Sequence, residues 1–232
     1  AIDTDTASSN LVVTVTSSDT NLVTVALTST NLISGTNAAL TLGFTTITNA
    51  YGSATITAIV NDGALSTTNT FALTVSAVND LPAFMVSTNL VLVAEDAGIV
   101  TNTSFLAGIS TGPGNETNQT YTFTLTAGTN FSFATAPTIA TNGTLTFNVA
   151  TNAVGTNLIT VVMKDSGGVT GGGKDSVTNT FSIGVTPAND APTFLGIAAK
   201  TILEDSTTNT AVINAIDTDT ASSNLVVTVT SS

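Results

Sequence analysis

The sequence predicts an all-β protein made of tandem β-sandwich domains. Three observations carry that prediction: a composition suited to pleated sheet, an apolar–polar alternation of period two, and an internal repeat at two levels. Of 232 residues 50 are Thr, 42% are hydrophobic and only 8% are charged. Thr, Val, Ile and Phe fit a half-buried pleated surface, whereas the helix formers Lys, Glu, Gln and Arg are scarce or missing. High hydrophobicity with little charge also argues against disorder along the whole chain.

Strands follow from the alternation, taken in chain order. Leu11–Thr16, Leu22–Leu27, Leu40–Phe44, Ala54–Val60 and Phe71–Val78 read as strands, then Leu90–Ala94, Tyr121–Thr126, Leu145–Val149, Leu158–Met163 and Phe181–Val185. Thr commonly takes the outward position. Ser18-Asp19, Ser34-Gly35, Asn142-Gly143 and Asp165-Ser166-Gly167-Gly168 mark turns between them. About seven short strands per ~105 residues is the spacing of a sandwich.

The repeats set the domain plan. Residues 1–18 recur without a mismatch as residues 215–232, an offset of 214. The chain is therefore expected to be one period of an array plus an overlap, taken from a longer polypeptide. A looser repeat lies inside it. Asn79-Asp80-Leu81-Pro82-Ala83-Phe84 matches Asn189-Asp190-Ala191-Pro192-Thr193-Phe194 at 110 residues, and Asn69-Thr70-Phe71 matches Asn179-Thr180-Phe181 at the same distance. Glu95-Asp96 matches Glu204-Asp205 at 109, while Gly52 and Asp62 match Gly155 and Asp165 at 103. The step from 103 to 110 places a seven-residue insertion near Gly167–Asp175. Residues 1–80 then form the later part of one domain type, 81–190 a complete second type, and 191–232 the start of the first type again. Either the chain continues in both directions or neighbouring copies complete one another by strand exchange.

Composition also removes functions. Cys, His, Trp and Arg are absent. Thiol nucleophiles, His-based acid–base chemistry, Ser-His-Asp triads and zinc or haem sites go with them. With 15 acidic side chains against 3 lysines, net charge −12, the chain has little with which to neutralise nucleic-acid phosphates. No apolar run approaches the roughly 18–20 residues of a membrane-spanning helix. A non-enzymatic role is expected.

The Asn-Asp-x-Pro linker that opens each domain, the Glu-Asp pair 13–14 residues further on, an Asp-x-Asp, and a late strand ending in Asp before a Gly-rich turn resemble the cadherin-like and Ig-like tandem repeats of large bacterial surface proteins, including the VCBS type. The resemblance covers the whole chain. It implies cadherin-like or Ig-like sandwiches in series, extracellular at a cell surface, with Ca²⁺ stiffening the junctions. Ca²⁺ takes 6–8 oxygen ligands, and the few carboxylates here cluster at predicted strand ends and linkers. Carried over by position, the junction entering the 191-onward domain would use Asn189, Asp190, Asp217 and Asp219, with Glu95 of the domain behind. Asp3, Asp5 and Asp62 are the preceding copy of that domain's set. The junction entering the 81-onward domain keeps Asn79, Asp80 and Asp165, with Glu204 of the preceding copy. It departs from the pattern where Ile109-Ser110-Thr111-Gly112-Pro113 replaces Asp-x-Asp. Strong and weak junctions are therefore expected to alternate. The competing reading makes the linkers simple turns and the carboxylates solvated surface charges.

Five Asn-x-Ser/Thr sequons, at Asn102, Asn115, Asn118, Asn130 and Asn142, all fall in 81–190, and none elsewhere. They make that domain a candidate glycoprotein segment. Lys164, Lys174 and Lys200 read as solvated lysines rather than isopeptide donors. Gly171-Gly172-Gly173-Lys174 lacks the phosphate-loop spacing and reads as a hairpin tip.

The resulting expectation is a structural component of an extracellular filament or adhesin stalk, with neighbouring copies of the same repeat as partners. The alternatives are a discrete filament subunit joined by strand exchange, and a carbohydrate- or ice-binding repeat suggested by Thr122-Phe123-Thr124 and Thr144-Leu145-Thr146.

Overall fold

The computed structural model describes residues 11–34, 37–196 and 198–230. Asp3 and Asp5 lie outside them. The chain divides into two compact units. The first comprises Ala1–Ala83, Ser110–Tyr121 and Lys164–Val177; the second comprises Phe84–Ile109, Thr122–Met163 and Thr178–Ser232.

In the first unit β1 (Val12–Ser17), β2 (Val23–Ser34), β3 (Asn37–Thr46), β4 (Gly52–Asn61) and β5 (Ser66–Val75) follow in order. β4 pairs antiparallel with β1, from Val12↔Asn61 to Ser17↔Ile56, and with β5, from Gly52↔Val75 to Asn61↔Ser66. The sheet order is β1-β4-β5, and β2-β3 forms a separate two-stranded sheet. The Asp62 carboxylate closes the β4–β5 hairpin by accepting the N–H groups of Ala64 and Leu65 at 2.7 and 2.6 Å. That turn starts β5 five residues before the predicted Phe71. Leu22, Val23, Ala54 and Ile56 form a small core, with Val25, Ala50, Leu73 and Val75 packed on it.

The larger core lies in the second unit. Its strands are β6 (Ala83–Val86), β7 (Leu90–Ala94), β8 (Ile99–Asn102), β9 (Leu106–Ser110), β10 (Tyr121–Ala127), β11 (Phe133–Ile139), β12 (Leu145–Val149), β13 (Gly155–Asp165) and β14 (Ser176–Thr186), then β15 (Thr193–Leu195) and β16 (Asn214–Ile216). One sheet runs β10-β13-β14-β7 and the other β11-β12-β8. Alternate residues of β12 and β13 point inward: Leu145, Phe147 and Val149 from one sheet, Ile159, Val161 and Met163 from the other, all buried. Phe105 and Phe181 meet edge-on between them, centroids 4.6 Å apart. This is the predicted all-β sandwich.

The first part of 81–190 holds four short strands, β6 to β9, where the sequence predicted β7 alone. β6 pairs with β9 while β7 moves to β14, where it runs parallel from Ser182↔Leu90 to Thr186↔Ala94. The switch falls at the Thr88 turn, where the hydroxyl accepts the Leu90 N–H. Ser104, at φ 59°, makes the corresponding break between β8 and β9.

The looser repeat is visible in the backbone. Asn49 and Asn152 share the left-handed conformation (φ 59° and 55°), as do Asp96 and Asp205 (57° and 56°), while Gly52 and Gly155 open β4 and β13 at φ 144° and 115°. Asn and Asp tolerate that region better than other non-glycine residues. The exact 18-residue repeat behaves differently. Leu11–Thr16 lies in and around β1, paired to β4, whereas the identical Leu225–Thr230 has no regular structure and leaves Val226 91% exposed.

Candidate functional site

Each predicted linker is a polar cluster, and the two clusters differ in kind. In the first unit Asn79 is buried and acts as a hub. Its Nδ2 donates to Asp165 Oδ1 at 3.1 Å and to the Lys174 carbonyl at 2.8 Å, and its Oδ1 accepts from Gln119 Nε2 at 2.7 Å. Asp165 Oδ1 also accepts the Gly167 N–H at 2.9 Å. Glu116, buried as well, accepts the Asp80 N–H with Oε1 at 3.0 Å. Asn79, Asp80 and Asp165 therefore lie together in the first unit. Glu204 sits exposed on a turn of the second unit.

Close glycines let the backbone reach this hub. A Cβ on Gly167 would lie 1.8 Å from Asn79 Oδ1, and one on Gly112, at φ +139°, 2.0 Å from Glu116 Oε2. The 171–173 glycine run, expected to be a hairpin tip, makes a short 3-10 turn at Thr170–Gly172, and Gly173 packs against Asn79. A cleft of about 240 Å³ opens here, lined by Tyr51, Val78, Asn115, Glu116, Gln119 and Gly167 among others.

Sequence reasoning missed Glu116 and Gln119. The segment that lacks Asp-x-Asp folds back through a Gly114–Glu116 3-10 turn, with the Thr111 hydroxyl donating to the Glu116 carbonyl at 2.9 Å. That places a carboxylate in the cluster from a later position. The available signal was rarity: the chain has three Glu, and the other two stand in Glu-Asp pairs.

The second cluster, in the second unit, is exposed. Thr218 donates its hydroxyl to Asp190 Oδ2 at 2.8 Å, the Asp190 N–H donates to Asp219 Oδ2, and Asn189 Nδ2 donates to the Asp190 carbonyl at 2.8 Å. Asp217 Oδ1 accepts the N–H groups of Thr220 at 2.6 Å and Asp219 at 2.9 Å. Glu95 is buried and accepts the Ala188 N–H at 2.6 Å, next to Asn189. A cleft of about 300 Å³ beside the cluster is lined by Asn152, Asp190, Thr193, Ile216, Asp217 and Thr218 among others. Asp62, read from the sequence as part of the preceding copy of this set, belongs to the first unit.

Those backbone bonds, Thr220's first, hold the Asp217 carboxyl below its ordinary 3.8. A folded pKa below the unfolded one stabilises the turn above the ordinary pKa, and the contribution is lost as pH falls through the folded value. The protection of the Thr220 and Asp219 amides against exchange, relative to an unstructured peptide at the same pH, is therefore expected to fall on acidification below about pH 4. Protection unchanged by carboxyl protonation would remove Asp217 from the turn.

Among the described residues no three carboxylates converge closely enough to form a ready metal cage. The first cluster nonetheless carries an unmet demand. Asp165 Oδ2 and Gln119 Oε1 are buried and lack a hydrogen-bond partner among the described residues. Buried oxygens without partners are costly, and hard oxygens are what Ca²⁺ binds. Asp165, Gln119 and Glu116 thus fit a hard cation by chemistry.

Of the sequons, Asn115, Asn118, Asn130 and Asn142 are exposed and Asn102 is half-buried. The Asn130 amide already donates to the Thr156 carbonyl at 2.6 Å, and Asn142 Oδ1 accepts the Thr144 N–H at 3.0 Å. Lys164 pairs with Asp175 at 3.2 Å on the surface, a contact of small energetic weight. Among the described residues no helix is long and apolar enough to cross a membrane.

Fold and site together define a class: an all-β chain of sandwich units whose linkers are lined by carboxylate and amide oxygens. No family model matches the chain, and no curated protein matches it. Among solved structures it is similar to human protocadherin-24 EC1-2 (15% identity, 76% of this chain and 82% of that one, TM-score 0.47). It is also similar to mouse cadherin-23 EC22-24 (18%, 84% and 61%, TM-score 0.44). A third similarity is to an endo-fucoidan hydrolase of glycoside hydrolase family 107 (17%, 77% and 24%, TM-score 0.27). All three TM-scores are low, and the functional reading rests on the chain's own residues.

Proposed function

We propose that the chain is a non-enzymatic structural segment of an extracellular fibre or adhesin stalk, an array of like β-sandwich repeats whose linkers are stiffened by Ca²⁺. The two-level repeat is the observation that carries this reading, since an array of alternating units has length and stiffness as its natural product. In this reading the domains are 1–80, 81–190 and 191–232, and the partners are further copies of the same repeat. The resemblance of the linker motifs to bacterial surface-protein repeats supports the same context.

At the first linker Asp165, Glu116, Gln119 and Asn79 would hold the ion, with Asp80 beside them. At the second, Asn189, Asp190, Asp217, Asp219 and Glu95 would do so. A bound cation supplies positive charge that ties separate loops to one point and relieves repulsion between carboxylates. Calorimetry of the chelator-stripped chain with and without Ca²⁺ tests this. Free Ca²⁺ at 100 times its dissociation constant is expected to add about 2.7 kcal/mol, read as a higher melting temperature. Superimposable melts in chelator and in excess Ca²⁺ would remove the cation from the proposal.

A further inference from the structure

We propose that the Ala199–Glu204 segment of a second copy of this chain adds to the open edge of β5 as a parallel strand. The inference deepens the reading of the chain as an array of like repeats and rests on it.

Among the described residues each sheet of the first unit has one strand fewer than its counterpart. The four-stranded β10-β13-β14-β7 answers to β1-β4-β5, and the three-stranded β11-β12-β8 answers to β2-β3. The strands without a counterpart are those equivalent to β7 and β8. By the offset of Glu95 to Glu204, these equivalents are Ala199–Leu203 and Thr208–Ala211. Both lie in a stretch, 198–213, that has no strand. It leaves Ile202 58%, Leu203 80% and Val212 83% exposed. On the acceptor side, β5 has β4 as its one sheet neighbour among the described residues. Leu65, in the turn just before it, and Phe71 within it are 76% and 44% exposed. An open sheet edge and an unpaired apolar segment of the same chain are thus left over together, and an exposed edge is a template for strand addition.

The second unit supplies the register. β14 pairs parallel with β7 from Ser182↔Leu90 to Thr186↔Ala94. Moved back by 110 on one strand and forward by 109 on the other, these pairs become Ala72 beside Ala199, Leu73 beside Lys200, Thr74 beside Thr201, Val75 beside Ile202 and Ser76 beside Leu203. The sizes match. Gly184 leaves room for Leu92, since a Cβ there would lie 2.7 Å from Leu92 Cδ2. At the equivalent pair, Thr74 faces Thr201, medium against medium. Glu204 follows the same logic. Glu95 accepts the Ala188 N–H, so Glu204 is placed to accept the N–H of Val78. The Glu204-Asp205 turn already has the conformation of Glu95-Asp96, with Asp205 and Asp96 at φ 56° and 57°. Lys200 stands where Val91 is buried; its stem can lie along the sheet with the ammonium in water.

The chain contains no cysteine, so a disulfide can report the contact. Full-length T74C and T201C chains are mixed, oxidised and run on a non-reducing gel, with T67C replacing T74C as an out-of-register control. The expected result is a T74C–T201C dimer, absent from the T67C mixture and lost when Ile202→Asp is added to the T201C chain. Ile202 is exposed, so that change leaves each unit folded. Equal dimer yields at Thr67 and Thr74, a yield indifferent to Ile202→Asp, or no dimer at all would overturn the proposal. So would a monomeric internal disulfide in the T74C/T201C double variant, which would assign the segment to its own chain. The reaction is run in Ca²⁺ and in chelator. Strand pairing needs no cation, so a dimer in both with no Ca²⁺ effect on melting would remove the stiffening and keep the strand.

Discussion

Replacing Phe105 by alanine is expected to destabilise the second unit by about 3–5 kcal/mol, the usual cost of truncating a fully buried aromatic. Phe105 has no solvent exposure and packs edge-on against Phe181, whose own ring is buried. The loss combines missing transfer free energy with a cavity that the flanking sheets cannot close, because interiors are packed as densely as organic crystals. No disulfide or Trp is present to compensate. Phe194→Ala is the matched control. Phe194 is 58% exposed, and its loss should stay within about 0.5 kcal/mol. Denaturant titration of both variants checks the pair. Equal effects would mean that the core is not where Phe105 and Phe181 meet.

That contrast also shows what the sequence makes legible. Phe84 and Phe194 occupy the same place in the repeat, yet Phe84 is buried and Phe194 is not. Leu11–Thr16 and Leu225–Thr230 are identical, yet only the first has a partner strand. A strand is a pairing, and local pattern records the readiness to pair without the partner. Cleanly alternating runs were therefore readable: Leu90–Ala94 and Leu145–Val149 coincide with β7 and β12 to the residue. β6, β8, β15 and β16 were not readable, being three or four residues long, too short for a period to register, and the run of β9 is interrupted by Gly108. β11 was hidden by Pro137 and by its two register shifts.

The candidate site divides in the same way. Asn79, Asp80 and Asp165 were legible because they recur as Asn189, Asp190 and Asp62 at repeat spacing. Glu116 and Gln119 lie where the two domain types diverge, so no offset pointed to them. Their position follows from a loop closing on itself through Thr111 and Glu116, a contact that spacing alone does not encode.

Asn79→Ala is expected to destabilise the first unit by about 2–4 kcal/mol, because it strips partners from buried groups, one of them charged. The Asn79 amide supplies one of the two hydrogen bonds to Asp165 Oδ1, caps the Lys174 carbonyl, and receives Gln119 Nε2. Asp165 Oδ2 already lacks a partner among the described residues, so the deletion leaves a buried carboxylate held by the Gly167 N–H. Asn79→Asp distinguishes a purely hydrogen-bonded linker from one built for a cation. In chelator the aspartate removes the same donor and adds a negative charge beside Asp165, so it should melt below the alanine variant. Ca²⁺ should reverse that order, because the added carboxylate is a ligand that the alanine cannot offer. Melting each variant in chelator and in Ca²⁺ gives four temperatures. If Asp stays below Ala in both conditions, the linker is held by its amide hydrogen bonds alone and the cation has no place there. If the order crosses over, the unpartnered oxygens of Asp165 and Gln119 belong to a binding site.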